Sequence, residues 1–217
     1  LTINSGTYVG LFGYISGAII ENLGIDENCS FTSNYKVGGL IGYASESSIN
    51  KCYSLASVIL NYSSSYSWLD AGGLIGNVNN CIINNCFARS NVIKGTGWSS
   101  DFNRNAYFGG LISGLENNSV LRNSYSAPQS LPSVGLGRGS LVGFKSLSSS
   151  QTPISYIYDS YFENITSANV TNYGEAKSSS ELRSGCFVVT LNNSQDPVVW
   201  FKAKSQVNLG YPVLSWQ

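Results

Sequence analysis

Residues 37–54 read VGGLIGYASESSINKCYS, and residues 71–88 read AGGLIGNVNNCIINNCFA. Both carry a glycine-glycine-leucine phrase and, twelve residues after its leucine, a cysteine. Aligned on that leucine, three further copies appear: GLFG at Leu11, GGLIS at Leu111 and SLVG at Leu141. The five leucines lie 29, 34, 37 and 30 residues apart. The second landmark is steadier. It falls twelve residues on at Leu23, Cys52 and Cys86, thirteen at Ser124, and nineteen at Ser160, where SSSQTP is inserted. Most of the length variation therefore lies in the stretch before each glycine phrase.

Columns follow from this alignment. Ile20, Ile49, Ile83, Leu121 and Ile157 stand three residues before the second landmark. Asn22, Lys51, Asn85, Asn123 and Asp159 stand one before it, and Gly24, Tyr53, Phe87, Tyr125 and Tyr161 one after. A position that stays apolar over five copies reads as a stack facing a shared interior. A column of Asn and Asp suits a turn, because these side chains bond nearby backbone and tolerate left-handed φ. The apolar runs are short, lack a 3.6-residue period and are bounded by Gly, Asn and Ser, so they predict strands. Units of about 30 residues without a helix cannot bury a face alone. Winding into a parallel β-helix solves this, since each coil then stacks on the last at about 4.8 Å. The expected structural stack is Leu11, Leu40, Leu74, Leu111 and Leu141, the five-member isoleucine and leucine column, and Cys52 with Cys86.

The pattern GGLIGYASESSINKCYSLASV resembles the GLUG repeat, named for its Gly-Leu-any-Gly phrase, over five copies from Val9 to about Asn164. The tail, ending NLGYPVLSWQ, is similar to the segment that often closes such arrays. The resemblance implies a right-handed parallel β-helix of secreted or cell-surface proteins, often adhesin-like or part of large extracellular assemblies. It implies no catalytic residues. The expected fold is thus all-β, with about five coils over residues 1–174 and a C-terminal capping segment over 175–217 that packs on the last coils. Within that segment Ser178 to Glu181 forms a capping-box phrase for one helical turn, while CFVVTLNN and PVVWF read as strands.

Composition narrows the function classes. Twelve acids balance twelve bases and only 11% of residues are charged. With no basic block to follow a phosphate backbone, nucleic acid is not an expected partner. No apolar run is long enough to predict a transmembrane segment. The opening LTINSGTYVG shows no secretory signal and the chain holds no methionine, which reads as a processed product or a piece of something longer. Histidine is absent, which removes the commonest general base and metal ligand. Five cysteines without a CxxC pair argue against a zinc site, and neither a cofactor nor a metal is expected. In-register stacking suits disulfide geometry poorly, so Cys52 and Cys86 are expected to stack reduced, while Cys81 is left open to Cys29 or Cys52. Sequons at Asn28, Asn61, Asn117, Asn164, Asn169 and Asn192 favour an exported, N-glycosylated protein.

Parallel β-helices can carry polysaccharide-cleaving carboxylates, but the acids here are scattered. Asp70 and Asp101, placed in adjacent side loops, are the nearest thing to a pair. The aromatic residues Tyr62, Tyr66, Trp68, Trp98, Phe102 and Tyr107 fall in the two stretches before successive glycine phrases, on one expected flank. There they suit an assembly interface, glycan stacking, or a small core sealing the coil. The resulting expectation is a non-enzymatic extracellular or cell-surface structural module, serving adhesion or forming a fibre. Its partners would be other protein subunits or surface glycans. The alternative is a carbohydrate-binding or polysaccharide-cleaving β-helix.

Overall fold

The computed structural model describes residues 1–98, 106–146, 153–165, 171 and 173–217. Five parallel sheets enclose one interior, and the chain visits them in the order A to E on four circuits, the fifth having only the Asn91–Ser130 bridge at sheet A. Sheet A pairs Thr2–Ile3, Ser30–Ser33, Ser57–Leu60 and Asn91–Lys94. Sheet B pairs Tyr8–Val9, Lys36–Gly38, Leu69–Gly72, Ala106–Gly109 and Gly137–Gly139. Sheet C holds Phe12–Ser16, Ile41–Ser45, Ile75–Asn79, Ile112–Glu116 and Val142–Lys145. Sheet D holds Ile19–Glu21, Ser48–Asn50, Ile82–Asn84, Val120–Arg122 and Tyr156–Tyr158. Sheet E runs through Gly24–Ile25, Tyr53–Ser54, Phe87–Ala88, Tyr125–Ser126, Tyr161–Glu163 and Glu175–Lys177. This is a solenoid, and its register is the one the columns predict. Ile20 pairs Ile49, Ile49 pairs Ile83, Ile83 pairs Leu121, and Leu121 pairs Ile157.

The glycine phrase marks the corner from sheet B to sheet C, and each of its glycines answers a different demand. A Cβ on the first would strike the carbonyl three residues on: Gly72 would meet Ile75 O at 1.9 Å and Gly109 would meet Ile112 O at 1.8 Å. A Cβ on the second would strike the next coil, as Gly73 would meet Gly110 O at 2.1 Å. The third also faces backbone, with Gly76 2.4 Å from Gly42 O by the same construction. Between them Leu40, Leu74 and Leu111 point inward and bond coil to coil, the Leu40 N–H donating to Leu74 O at 2.9 Å and the Leu74 N–H to Leu111 O at 2.9 Å. Leu40, Leu74, Leu111 and Leu141 are buried, as are Ile49, Ile83 and Leu121. Leu11 departs from the expected stack at 38% exposure, because in the first coil it has a stacked neighbour on one side only. Ile20 and Ile157, in the first and last strands of sheet D, are half-buried for the same reason.

The Asn column turns the corner from sheet D to sheet E in left-handed backbone throughout, with φ of 54° at Asn22, 53° at Lys51, 53° at Asn85, 48° at Asn123 and 44° at Asp159. Lysine lacks the short polar side chain that eases this conformation. Lys51→Asn is therefore expected to raise stability by about 0.5–1 kcal/mol, read as a higher denaturant midpoint at unchanged slope.

The second landmark follows that corner and explains the alternation of cysteine and serine. Cys52 and Cys86 thiols point to Asn50 O and Asn84 O, at 3.3 and 3.2 Å, and the Ser124 and Ser160 hydroxyls donate to Arg122 O and Tyr158 O at 2.7 and 2.8 Å. Each side chain closes its own corner, and two of the hydroxyls also accept an N–H from the coil before: Cys86 N–H reaches Ser124 Oγ at 3.0 Å and Ser124 N–H reaches Ser160 Oγ at 3.3 Å. Ser47, Cys81 and Ser119 build a second ladder at the corner from sheet C to sheet D, which the sequence reading did not pick out. All five cysteines are unbridged; Cys52, Cys81 and Cys86 are buried, and burial pushes the Cys81 and Cys86 thiols up. Native-state labelling with a thiol reagent should therefore modify Cys186 and Cys29 and reach the other three only after denaturation.

The C-terminal segment corrects two expectations. Residues 186–193, read as a strand, lie mostly in a helix. α1 (Ser179–Leu182) carries the expected capping box of Ser178 and Glu181, and α2 (Gly185–Asn192) is capped by Ser184, whose Oγ accepts the Phe187 N–H at 3.1 Å. The helix buries Phe187 and Leu191, four residues apart, so an apolar stripe and a serine cap outweigh the β-branched Val188, Val189 and Thr190. PVVWF contributes only Trp200–Phe201, which pairs antiparallel with Val213–Leu214. The segment pairs Glu175–Lys177 with Tyr161–Glu163 of the last coil and also reaches back over earlier ones. It packs along the outer face of sheet E, where Tyr53, Phe87 and Tyr125 stack ring on ring at 4.9 and 5.0 Å. Trp200 is fully buried there, donating to Asn85 Oδ1 at 3.2 Å; Tyr125 donates to Pro212 O at 2.7 Å, and Trp216 reaches Lys51 O at 2.9 Å.

Candidate functional site: an aromatic groove with a charged floor

Sheets B and C meet at the glycine corner, and their outward side chains face one another across it. The facing columns are Tyr8, Lys36, Asp70, Tyr107 and Gly137 on sheet B and Tyr14, Tyr43, Asn77, Gly114 and Phe144 on sheet C. Between them lies a groove whose central cavity has a volume of about 600 Å³, lined by Tyr35, Lys36, Trp68, Asp70, Tyr107, Glu116, Asn117, Phe144 and Ser146. That size suits a small-molecule or oligomer subsite.

The floor is a connected polar network in which the buried Asn77 Oδ1 alone finds no partner. Lys36 Nζ pairs with Asp70 Oδ2 at 2.5 Å, and both residues are buried. Asp70 also accepts from Asn77 Nδ2 at 3.2 Å and from the Ser113 hydroxyl at 2.9 Å. The same Asn77 amide donates to Glu116 Oε1 at 2.8 Å. Ser113 stands where the other coils have Gly13, Gly42, Gly76 and Gly143, so the repeat changes at the position that supplies Asp70 with a donor. Burial acts to lower the Lys36 ammonium, but Asp70, with smaller help from Glu116 and Tyr35, outweighs it and holds Lys36 above the usual lysine value. Its ammonium also sits over the Tyr35 and Tyr43 rings at 5.2 and 5.5 Å. Burial pushes the phenols of Tyr35, Tyr43 and Tyr107 up, so they meet a ligand as neutral hydroxyls able to donate and accept.

Aromatic rings run on from this floor in both directions. Tyr14 stacks on Tyr43 at 5.5 Å and Tyr8 lies 5.6 Å from Tyr43. Toward the later coils Trp68 stacks on Tyr107 at 5.9 Å and Tyr107 meets Phe144 at 5.0 Å. Tyr14 and Trp68 are 54% and 51% exposed, so their faces are open to solvent.

The aromatic residues picked out by the sequence thus divide. Tyr66 stacks on Tyr35 at 4.1 Å, and Trp68 and Tyr107 line the groove. Tyr62 and Trp98 instead meet edge-on at 5.4 Å, and Trp98 donates to Leu60 O at 3.0 Å, so this pair seals the flank of the core. Phe102 and Asp101 lie outside the described residues. Asp70 and Tyr107, expected in side loops, are strand residues of sheet B, and Asp70 is held by Lys36 rather than poised beside another loop carboxylate. Of the sequons, Asn28 and Asn164 are exposed and Asn61 and Asn117 partly so, while Asn169 lies outside the described residues. Asn192 is committed elsewhere: its Nδ2 donates to Val188 O and Trp200 O, both at 2.9 Å, and its Oδ1 accepts the Val199 and Trp200 N–H groups. A sugar on Asn192 would forfeit bonds that tie α2 to the closing strand.

Among the described residues no group of three or more Cys, Asp or Glu side chains gathers around one metal position, and no helix is long and apolar enough to cross a membrane. Compared with protein-family models, with curated proteins and with solved structures, the chain matches none. Its architecture stands on the repeated columns and the five parallel sheets, consistent with the wider class of solenoid and β-helix folds.

Proposed function

We propose that this chain is a non-catalytic adhesion module of an extracellular or cell-surface protein, a right-handed β-helix of five coils in the manner of GLUG-repeat arrays. The observation that carries this reading is the groove floor. Asp70 is buried and accepts from the Lys36 ammonium, the Asn77 amide and the Ser113 hydroxyl, so both its oxygens are already engaged within the protein. Its charge fixes the shape of a surface instead of working on a bond. Exposed aromatic faces above that floor supply rigid contact area at low entropic cost. The stacked sheets hold those faces at fixed spacing, which suits adhesion to a repetitive partner or assembly into a fibre.

The test is retention of protein-coated beads on extracellular surfaces, run beside an assay for new reducing ends or unsaturated products on a polysaccharide panel. Retention without product formation is expected. Product formation abolished by Glu116→Gln would replace this reading with a polysaccharide-cleaving one, and failure of the beads to be retained would remove it.

A further inference from the structure

We infer that the groove between sheets B and C binds a linear, uncharged polysaccharide lying along the solenoid axis with one sugar unit per coil. The inference rests on the adhesion reading and names its ligand. Three observations support it, beginning with spacing. Adjacent coils in a parallel sheet repeat at about 4.8 Å, close to the length of one pyranose ring with its linking oxygen. A glycan lying across the coils therefore meets equivalent positions on successive turns, whereas an extended peptide bonds along a strand edge.

The chemistry alternates as a sugar's does. Pyranose rings offer an apolar C–H face for stacking and a rim of hydroxyls for hydrogen bonds. The groove offers open aromatic faces at Tyr14 and Trp68, with the Tyr107 and Phe144 rings beside the latter. Lys36 and Asp70 occupy the two coils between Tyr14 and Tyr107, and Glu116 shares the coil of Tyr107. A purely apolar groove would suit lipid or protein; this one changes character over successive coils.

Charge selects among glycans. Among the described residues lining the groove Lys36 is the one cation, and Asp70 takes its charge. Glu116 then leaves the lining with a net negative charge and no free cation for a uronate or sulfate. A carboxylate beside neutral phenols is suited to accept sugar hydroxyls.

Titration calorimetry of the purified chain with neutral oligosaccharides of increasing length (cellulose-, laminarin- and mannan-derived series) tests this, with hexagalacturonate and a fully deacetylated chitosan hexamer as charged comparators. At least one neutral series should bind, with affinity rising with each added unit up to about five units and then levelling, as the number of stacked coils sets. Trp68→Ala should weaken that binding about ten-fold or more, while Ile82→Ser, on the exposed face of sheet D, leaves it unchanged. Circular dichroism confirms that both variants are folded. Tighter binding of either charged hexamer, equal loss from Ile82→Ser, or no binding by any neutral series overturns the assignment. Beads that still adhere while no neutral oligosaccharide binds or competes would sink the ligand and spare the adhesion reading. Oligosaccharide binding without adhesion would do the reverse.

Discussion

Asp70→Ala is expected to destabilise the protein by about 3–5 kcal/mol, the loss typical of leaving one partner of a buried ion pair alone. Lys36 would keep its ammonium among Tyr35, Tyr43 and the walls of the groove with no counter-ion at hydrogen-bond distance, and the Ser113 hydroxyl and Asn77 amide would each lose an acceptor. The double variant Lys36→Met with Asp70→Leu should recover most of the loss, because well-packed apolar residues often replace a buried pair at little net cost. Chemical denaturation of the four proteins of that cycle isolates the coupling. The pH dependence has a definite sign. The folded-state pKa of Lys36 is raised above its ordinary value of 10.5, so its contribution is fully present below that pH and is lost as pH rises through the higher folded value. The Lys36 contribution to unfolding free energy should therefore hold through neutral pH and fall away in strong alkali, and Lys36→Met should flatten that alkaline decline.

The second large effect is at the coil contact. Gly110→Ala should cost about 3 kcal/mol or more, since its methyl would lie 2.0 Å from Ser140 O and 2.5 Å from Ser126 Oγ, and the first of these is backbone that yields only if two coils part. Gly17→Ala provides the contrast. Its φ of 60° is left-handed but its Cβ would meet nothing within 4 Å, so it should cost only about 1 kcal/mol. Parallel measurement of both variants separates close packing from backbone conformation as the reason for glycine.

The fold was legible because a solenoid makes the same local demand on every turn. Ile49 and Ile83 share a column in the sequence and a register in sheet D; Asn22, Asn85 and Asp159 share a column and a left-handed corner. The groove was not legible in the same way, because its chemistry lies where copies differ. Lys36 and Asp70 occupy one column with opposite charges, Ser113 replaces a glycine, and Glu116 stands opposite Asn79 and Ser45. Reading for sameness passes over such positions. An opposite-charge pair two residues before the first glycine of two adjacent copies is the available signal. The aromatic residues were found, but not their division, since whether Trp98 turns inward while Trp68 turns out depends on loop packing that no column records. The C-terminal helix is hidden in the sequence for a related reason. β-branched residues in CFVVTLNN suggest a strand in isolation, and only the cap at Ser184 and the sheet E aromatics that receive Phe187 decide otherwise.

The stacked register carries both the fold and the groove, and methyl–methyl NOE spectroscopy on isoleucine- and leucine-labelled protein tests it most directly. Ile49 should show strong cross-peaks to both Ile20 and Ile83, and Ile83 to Leu121, although these residues lie about 30 or more positions apart in the chain. Cross-peaks from Ile49 confined to its sequence neighbours would contradict the stacking of the coils, and with it the meeting of Lys36, Asp70 and Glu116.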